Sequence, residues 1–304
     1  MTKKVIIITG PTGVGKSELS LALAKDLQTQ IISADSMQIY KGMDIGTAKV
    51  SKAIRSQIKH HMIDIISPES KFSVKEFQAQ AFMLIDQLHS EGLIPIIVGG
   101  TGLYINSLLY KYDFSNVAPN PSFRKKMNDL LDKKPDIVLE KLNQIDASRY
   151  GHLTVRDRKK IIRALEVYEF SGQKITVDSQ RNEDYNFFTY VINQDRKVLY
   201  DKINKRVDKM LSYGLVNEVK GLLSDGLTEA DQSMKAIGYK EIIPFIQGKI
   251  DYDAMVEQLK QDTRRYAKRQ LTWFRRIDFA SWLNKDDLSQ EDMINKIKGD
   301  INEF

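Results

Sequence analysis

The pattern of apolar and polar residues divides the first hundred positions into alternating strands and helices. Continuous apolar runs, rich in β-branched residues, predict strands at 5–9, 30–33, 59–66 and 93–98. Residues 72–90 carry apolar side chains at helical spacing, which predicts an amphipathic helix closed by Gly92. Strands that alternate with helices predict an α/β fold with a parallel sheet.

The pattern changes near residue 110. Residues 113–121 are polar and contain proline, which indicates a domain boundary. Residues 121–171 are highly charged and mostly helical, with one predicted helix over 155–170, and 186–192 resumes the pattern of a strand. We therefore predict a core made of residues 1–114 and 187–304, with an all-helical domain inserted at 115–186.

Beyond the insertion the pattern is mainly helical. A long helix is predicted over 196–213, and residues 233–240 form a polar turn before another helix. Residues 263–276 include six basic side chains and no acidic one, with aromatic residues among them. Such a helix fits phosphate contacts and base stacking, although Trp273 and Phe274 fit better as anchors to the core. The excess of charge makes Arg264 and Arg265 candidate RNA-binding residues.

The first predicted strand leads into a complete phosphate-loop motif, G-x-x-x-x-G-K-[ST]. Its members are Gly10, Pro11, Thr12, Gly13, Val14, Gly15, Lys16 and Ser17, and a predicted helix follows them. The loop amides and the helix N-terminus suit phosphate oxygens, Lys16 supplies a point charge, and the Ser17 hydroxyl suits Mg²⁺. We therefore predict a P-loop NTPase-like parallel sheet flanked by helices. The motif indicates a polyphosphate and Mg²⁺, and a diphosphate ester satisfies it as well as ATP does.

Two further strands end in residues that could line the same site, because ligands of open α/β sheets bind beyond the carboxyl ends of strands. Asp35 follows the second strand and could bind Mg²⁺, act as a base or cap a turn. The fourth strand ends in Gly99, Gly100 and Thr101, where many P-loop enzymes have an acidic magnesium ligand. The glycines allow close backbone approach to a ligand, and Thr101 could offer its hydroxyl or cap a helix.

Composition narrows the classes of function. The 304 residues carry a net charge of +6 and no cysteine, which excludes disulfides, cysteine nucleophiles and zinc fingers. No apolar run is long enough for a signal peptide or a membrane span, so we expect a soluble, cytoplasmic protein. The adjacent His60 and His61 would point to opposite faces of a strand, so we expect a structural role for them and no metal site.

Taken together, the motifs resemble those of tRNA dimethylallyltransferases, also called tRNA isopentenyltransferases, of the bacterial type. The resemblance spans residues 4 to about 280 and rests on the blocks 10–17, 33–49, 60–64, 99–104 and 206–208, which stand in family order. It implies transfer of a dimethylallyl group from dimethylallyl diphosphate to the N6 amine of the adenosine 3′ to the anticodon of tRNA. The phosphate loop, residues 10–17, would then hold the diphosphate leaving group.

The resemblance also implies roles for single residues. Asp35 would be the general base that removes the N6 proton, and Thr101 and Arg206 would be catalytic groups at the diphosphate. Mg²⁺ on Ser17 would be the cofactor. The residues implied to contact the tRNA anticodon stem-loop are Asp35, Ser36, Met37, Gln38, Thr101, Phe123, Lys159, Lys160, Ile161, Ile162, Arg163, Met234, Lys235, Ala236, Ile237, Gly238 and Tyr239.

Two other functions stay open at this stage. A P-loop prenyltransferase or kinase that acts on a free nucleotide or small metabolite would have the same loop, but it would not need the insertion or the basic helix at 263–276. A nucleotide-switched RNA-binding protein without transfer chemistry would need a nucleotide-sensing acid after a strand, and 99–101 provide none. We expect a monomer, because RNA must reach a cleft between two parts of the chain.

Overall fold

A six-stranded sheet organises the larger part of the molecule. The computed structural model describes residues 3–112, 114–175 and 180–303, without the side chains of 148 and 149. The strands are β1 (Lys4–Thr9), β2 (Ile31–Ser33), β3 (His60–His61), β4 (Ile96–Gly99), β5 (Asn186–Asn193) and β6 (Ser281–Asn284). Their order is β3-β2-β4-β1-β5-β6, and every neighbouring pair is parallel, as the sequence predicts.

Helices connect the strands and fill the insertion. Those of the first half are α1 (Lys16–Asp26), α2 (Lys52–Arg55), α3 (Val74–Ser90), α4 (Gly102–Leu109), α5 (Pro121–Lys133), α6 (Pro135–Tyr150) and α7 (Arg158–Ser171). Those of the second half are α8 (Arg196–Ser212), α9 (Leu215–Ser224), α10 (Ile243–Ile246), α11 (Tyr252–Phe274) and α12 (Gln290–Asn302). Short 3₁₀ turns lie at Val155–Asp157 and Ser233–Lys235.

The chain forms two compact units. Unit 1 consists of Met1–Leu109 and Asn182–Phe304, and unit 2 of Tyr110–Arg181. The sequence places the boundaries at 114/115 and 186/187. Of the expected boundary stretch 113–121, residue 113 lies outside the described residues.

Unit 1 has its core around the central strand β1. Four consecutive side chains of this strand, from Val5 to Ile8, are fully buried. Strands covered on both faces need such continuous apolar runs, which is why the sequence reveals them. Helices α1, α8 and α12 contribute to the cluster on one side of the sheet, through residues such as Leu23, Ile203 and Ile297. The carboxyl end of β1 is therefore held in place by a well-packed core.

Unit 2 has a hydrophobic core of its own. Buried residues of α5, α6 and α7, including Met127, Leu142 and Leu165, form one cluster. A hydrogen bond from the Lys111 amide to the Gln180 carbonyl (2.9 Å) joins the two ends of this unit. In unit 1, the Asn182 amide donates to the Leu109 carbonyl at 2.8 Å. The chain thus leaves unit 1 and returns to it at neighbouring points.

Some elements differ from the sequence prediction. The strand predicted over 59–66 is wrong beyond β3, because Met62 (φ 61°) and Asp64 (φ 56°) adopt left-handed backbone conformations that end it. The helix predicted over 155–170 begins as a 3₁₀ turn and becomes α-helical only at Arg158. The helix predicted over 263–276 is the second half of α11, which begins at Tyr252. Strand β6 and helix α12 were not predicted.

Candidate active site

The phosphate loop connects β1 to α1 in unit 1. Gly13 (φ 82°) and Gly15 (φ 99°) take left-handed conformations that curl the loop, and Gly15 lies directly before the first residue of α1. The Lys16 ammonium donates to the carbonyls of Gly10 and Pro11, both at 2.9 Å. Lys16 therefore folds back over the loop and lies where phosphate oxygens would bind.

The positively charged side chains at the phosphate loop, Lys16 and Arg206, are partly shielded from solvent. Burial and the nearby Arg206 guanidinium lower the pKa of Lys16 to about 7, although Asp35 opposes the shift. Burial also lowers the pKa of Arg206 from its ordinary value, again against the attraction of Asp35. An anion bound beside Lys16 and Arg206 would favour the charged form of both side chains.

Asp35 uses one carboxylate oxygen for structure. Its Oδ1 accepts the Met37 amide at 2.9 Å, so the turn-capping role weighed from the sequence is present. Its other oxygen makes no hydrogen bond in the part of the chain that the structure describes. The ion pairs between described residues likewise include none from Asp35 to Lys16 or Arg206. Asp35 is therefore too far from the two cations for an ion pair, yet near enough to affect the pKa of each.

Thr101 lies next to the Asp35 loop. Its Oγ1 accepts the Ser36 amide at 3.0 Å and lies 3.3 Å from the Ser36 hydroxyl. The Thr101 hydroxyl therefore contacts the neighbouring Asp35 loop instead of capping a helix. At the turn before Thr101, a side chain on Gly99 would collide with the Ala34 carbonyl, so only glycine permits this close approach.

Helix α11 contributes a buried glutamine, Gln270, to the site. The Gln270 side chain is 4% exposed. Its Oε1 accepts the Thr12 amide and its Nε2 donates to the Gly100 carbonyl, both at 2.8 Å. A side chain on Gly100 would collide with this amide group. Gln270 thus joins the phosphate loop to the loop that carries Thr101.

These segments enclose a pocket of about 310 Å³. Its polar lining includes Thr12, Asp35, Ser36, Thr47, Arg206, Lys235, Thr263, Tyr266 and Arg269. Its apolar lining includes Met37, Val207, Met210, Ala236, Ile237 and Leu259. A carboxylate, cations and an apolar wall in one cavity suit a ligand that has an anionic end and a hydrocarbon part.

The two predicted contact stretches of unit 1, residues 35–38 and 234–239, both contribute residues to the pocket lining. Met234 and Tyr239 are fully buried, whereas Lys235, Ala236, Ile237 and Gly238 line the pocket. The Tyr239 hydroxyl donates to Glu218 Oε1 at 2.6 Å, and the same carboxylate accepts the amides of Asp44, Ile45 and Gly46. Gln38 also has a structural contact, because its Nε2 donates to the Thr47 carbonyl at 3.2 Å.

The predicted residues of unit 2 fall into two groups. Phe123 packs edge-on against Phe170, with ring centroids 5.5 Å apart. The side chains of Ile161 and Ile162 are buried in the core of the unit, so they offer no surface to a partner. Lys159 and Lys160 are exposed on the same helix. Any RNA contact of this stretch therefore belongs to its basic side chains.

Arg163 is held by an ionic cluster in unit 2. It donates to Glu166 (2.6 Å) and to the Val117 carbonyl (2.9 Å). Glu166 is fully buried and also accepts from Arg124 and from the Asn120 amide. Burial opposes ionisation of Glu166, but these hydrogen bonds outweigh it and hold its pKa at about 2.

The remaining predicted residues lie on α1 and α11. Ser17 is exposed in the first turn of α1. Arg264 donates to Asn204 Oδ1 (2.6 Å), and Arg265 to Asp262 (3.3 Å). The described residues contain no cluster of three acidic or histidine side chains that could hold a metal ion. His60 and His61 bond instead to the Ile58 carbonyl and to Gln30, both at 2.7 Å.

Sequence reasoning missed Tyr266, Arg269 and Gln270 as parts of the site. A signal was present, because Thr263, Tyr266 and Gln270 are spaced three and four apart and so share one face of α11. Two buried polar residues, Thr263 and Gln270, lie on the face that packs on the core, where apolar side chains are the rule. The sequence prediction relied instead on basic residues such as Arg265, which lie on the opposite, solvent-exposed face of α11.

The parallel sheet, the phosphate loop and the pocket define a P-loop α/β protein with a candidate site for a phosphorylated ligand beside a carboxylate. A sequence model described as IPP transferase matches residues 38–277. The chain belongs to this IPP transferase family. The match begins just beyond Asp35, so it does not include the phosphate loop.

Named relatives agree over most of the chain. A tRNA dimethylallyltransferase of Caldanaerobacter subterraneus subsp. tengcongensis is 45% identical over 294 residues, which are 94% of this chain and 93% of the relative. One from Alkaliphilus oremlandii is 47% identical over 288 residues, covering 93% and 92% of the two chains.

Solved structures agree as well. The crystal structure of a tRNA Δ(2)-isopentenylpyrophosphate transferase from Staphylococcus epidermidis has a TM-score of 0.74, 43% identity and 99% coverage of both chains. A full-length tRNA isopentenylpyrophosphate transferase from Bacillus halodurans has a TM-score of 0.74 and 37% identity, covering 99% and 96%. A eukaryotic dimethylallyltransferase acting on tRNA reaches 0.77 at 30% identity, covering 93% of this chain and 74% of its own.

In residues 3–112, 114–175 and 180–303, every helix is too short or too polar to cross a bilayer.

Proposed function

We propose that the protein is a tRNA dimethylallyltransferase. It transfers a dimethylallyl group from dimethylallyl diphosphate to the N6 amine of the adenosine 3′ to the anticodon, and it releases diphosphate. The observation that carries the proposal is the pocket lined by Asp35 and Arg206, beside Lys16, whose pKa is affected by both of these side chains. Prenyl transfer to an amine needs a base on one side of the reacting carbon and positive charge on the other.

The reaction balances with the groups in and beside this pocket. The N6 nitrogen forms a bond to the allylic carbon as the carbon–oxygen bond to the diphosphate breaks. Asp35 takes the proton that the amine loses, through the oxygen that is not engaged by Met37. Lys16, Arg206 and the amides of the phosphate loop stabilise the negative charge that develops on the diphosphate. Thr101 donates a hydrogen bond to the leaving oxygen.

The site could hold Mg²⁺ only if the substrate supplied some of its ligands. Ser17 offers one exposed hydroxyl, and the described residues provide no acidic cluster around it. Mg²⁺ commonly keeps several waters and binds through few protein groups together with substrate phosphates. We therefore propose that Ser17 and the diphosphate oxygens would hold it, where it would supply positive charge to the leaving group.

The acceptor base must enter the same pocket. A base stacked in the anticodon loop can reach Asp35 only after it leaves the stack, at a cost of a few kcal/mol. Residues 35–37 and 235–238 line the pocket beside or at Asp35, which supports their assignment as the groups that receive the base. A monomeric state and a cytoplasmic location stay predictions from the sequence.

The proposal is tested by following label from dimethylallyl diphosphate with Mg²⁺ present. One reaction contains unmodified tRNA with an adenosine 3′ to the anticodon, and a second contains AMP and ATP alone. Label in the tRNA only is expected. Label in a free nucleotide would instead place the protein among small-molecule prenyltransferases. A phosphorylated product without prenyl transfer would show that the loop serves ATP.

A further inference from the structure

Gln270 of α11 bonds to two loops that hold different parts of the substrate site. Its Oε1 accepts the Thr12 amide of the phosphate loop, and its Nε2 donates to the Gly100 carbonyl, both at 2.8 Å. The two partners settle the orientation of the side-chain amide, because an N–H needs an oxygen and a carbonyl needs an NH₂ group. The Gln270 side chain is buried, so water cannot easily replace either bond.

Helix α11 contacts the turn that carries Thr101 on both sides of that residue. A Cβ on Gly100, which precedes it, would lie 2.3 Å from Gln270 Nε2. A Cβ on Gly102, which follows it, would lie 3.0 Å from the Trp273 side chain. The two glycines therefore let the helix approach the backbone of the turn directly, and α11 fixes that backbone before and after Thr101.

The sheet holds the same turn from another side. The Thr9 hydroxyl of β1 donates to the Gly99 carbonyl at 2.8 Å, within the pairing of β1 with β4. This bond fixes where the turn leaves the sheet. The Gln270 bonds add a link from the turn to Thr12, in the middle of the phosphate loop.

The groups that would hold the diphosphate are anchored separately from α11. Lys16 begins α1, and its ammonium is held by two carbonyls within the loop itself. Thr12 gives its amide to Gln270, so this amide is not offered to a phosphate oxygen. Loss of the Gln270 bonds should therefore displace Thr101 relative to the loop and leave the charge that binds diphosphate in place.

We propose that Gln270 is a positioning residue that holds the Thr101 hydroxyl in a fixed place relative to the diphosphate on the phosphate loop. The inference rests on the proposed function, in which Thr101 donates a hydrogen bond to the leaving oxygen. Glutamine suits this task because one planar amide carries an acceptor for one loop and a donor for the other. A displacement of about 1 Å between reacting groups can cost about 10²-fold in rate although the ligand still binds.

The first test is Gln270→Met, which has a side chain of similar length and leaves both loops without their partner. Single-turnover transfer from dimethylallyl diphosphate to an unmodified tRNA should slow by about tenfold or more. Diphosphate affinity, measured by calorimetry, should change by less than about twofold. A general loosening of the phosphate loop would instead lower both quantities.

A double-mutant cycle shows whether Gln270 acts through Thr101. Gln270→Met is introduced into the unaltered protein and into the Thr101→Val variant. In the Thr101→Val background it should slow transfer by less than about threefold, because the hydroxyl that Gln270 positions is already absent. Gln270→Asn is a second variant that keeps the amide. Its stem is one methylene shorter and cannot span both loops, so it should show the same split between transfer rate and diphosphate affinity.

The matched control is Thr9→Val, which removes another buried hydrogen bond from the same turn but leaves the contact with α11. It should transfer within about twofold of the unaltered rate. The inference is overturned if Gln270→Met is fully active, if its loss persists in Thr101→Val, or if Thr9→Val is equally slow. If the unaltered protein transfers no label to tRNA, the proposed function has failed first, so the two failures are distinguishable.

Discussion

The two oxygens of Asp35 have separate tasks. Oδ1 caps the turn through the Met37 amide, and we propose that the other oxygen acts as the base in the pocket that Asp35 lines. Asp35→Asn keeps the turn acceptor but cannot take a proton. We expect turnover to fall by roughly 10² or more, the usual contribution of a general base, with tRNA affinity nearly unchanged. The measurements are single-turnover transfer and tRNA titration.

The control for this change is Asp225→Asn, an exposed carboxyl at the end of α9 that is not part of the pocket. Asp225→Asn should change neither turnover nor tRNA affinity. Equal losses of turnover and affinity in Asp35→Asn would argue that Asp35 binds RNA and is not the base.

Lys16 gives the site a dependence on pH. With a pKa of about 7 in the ligand-free protein, Lys16 is mostly neutral at pH 8. A bound diphosphate favours the charged form and raises that pKa, so binding at pH 8 must take up a proton, and affinity must fall as pH rises above about 7. Calorimetry of diphosphate binding at pH 8, in two buffers with different heats of ionisation, counts the protons taken up.

Lys16→Arg is the matched variant for this titration, because arginine stays charged over the whole range. It should bind diphosphate without taking up a proton. The same uptake in this variant would assign the proton to another group.

At the scale of elements, α11 has two faces with different functions. Thr263 and Tyr266 line the pocket, whereas Lys268 and Arg265 are exposed. Changing Arg264 and Arg265 together to Ala should weaken tRNA binding and reduce its salt dependence by a slope of roughly one to two, because each removes a potential phosphate contact. tRNA titrations at several salt concentrations measure that slope.

A double variant of α12, Lys296→Ala with Lys298→Ala, removes the same charge from a helix that does not line the pocket. It should change the slope less. Equal slopes in the two double variants would show that overall charge, and not α11, sets the salt dependence.

Most of the sheet could be predicted because its strands are continuous apolar runs, as in β1 and β4. Strand β6 could not, since its four residues, Ser281–Asn284, are half polar and lie at the sheet edge. The phosphate loop is visible as a local motif. Gln270 is not, because its two partners lie 258 and 170 residues away and only the fold brings them together.

At the scale of the whole molecule, unit 2 is an insertion with its own core. Because the Asn182 amide already bonds to the Leu109 carbonyl, residues 110–181 can be replaced by a short Gly-Ser linker with little strain in unit 1. We expect the shortened protein to bind diphosphate as before and to lose tRNA affinity by tenfold or more, about the loss of one to two phosphate contacts. Calorimetry and tRNA titration test the two halves of this prediction.

The control joins the same linker into unit 1 without removing unit 2, between Gly248 and Lys249 in the turn that follows α10. It should keep both affinities. Loss of diphosphate binding in the shortened protein, with the control intact, would contradict the independence of unit 1.

The position of β1 in the middle of the sheet sets an order for folding during synthesis. Its partner β5 begins 182 positions later in the chain, where Asn186 pairs with Lys4. Until the ribosome has released that segment, one edge of β1 has no partner, whereas unit 2 is compact and has its core within 110–181, so it can fold as soon as that segment is made. The inserted unit is therefore the first to mature, although the phosphate loop is made before it.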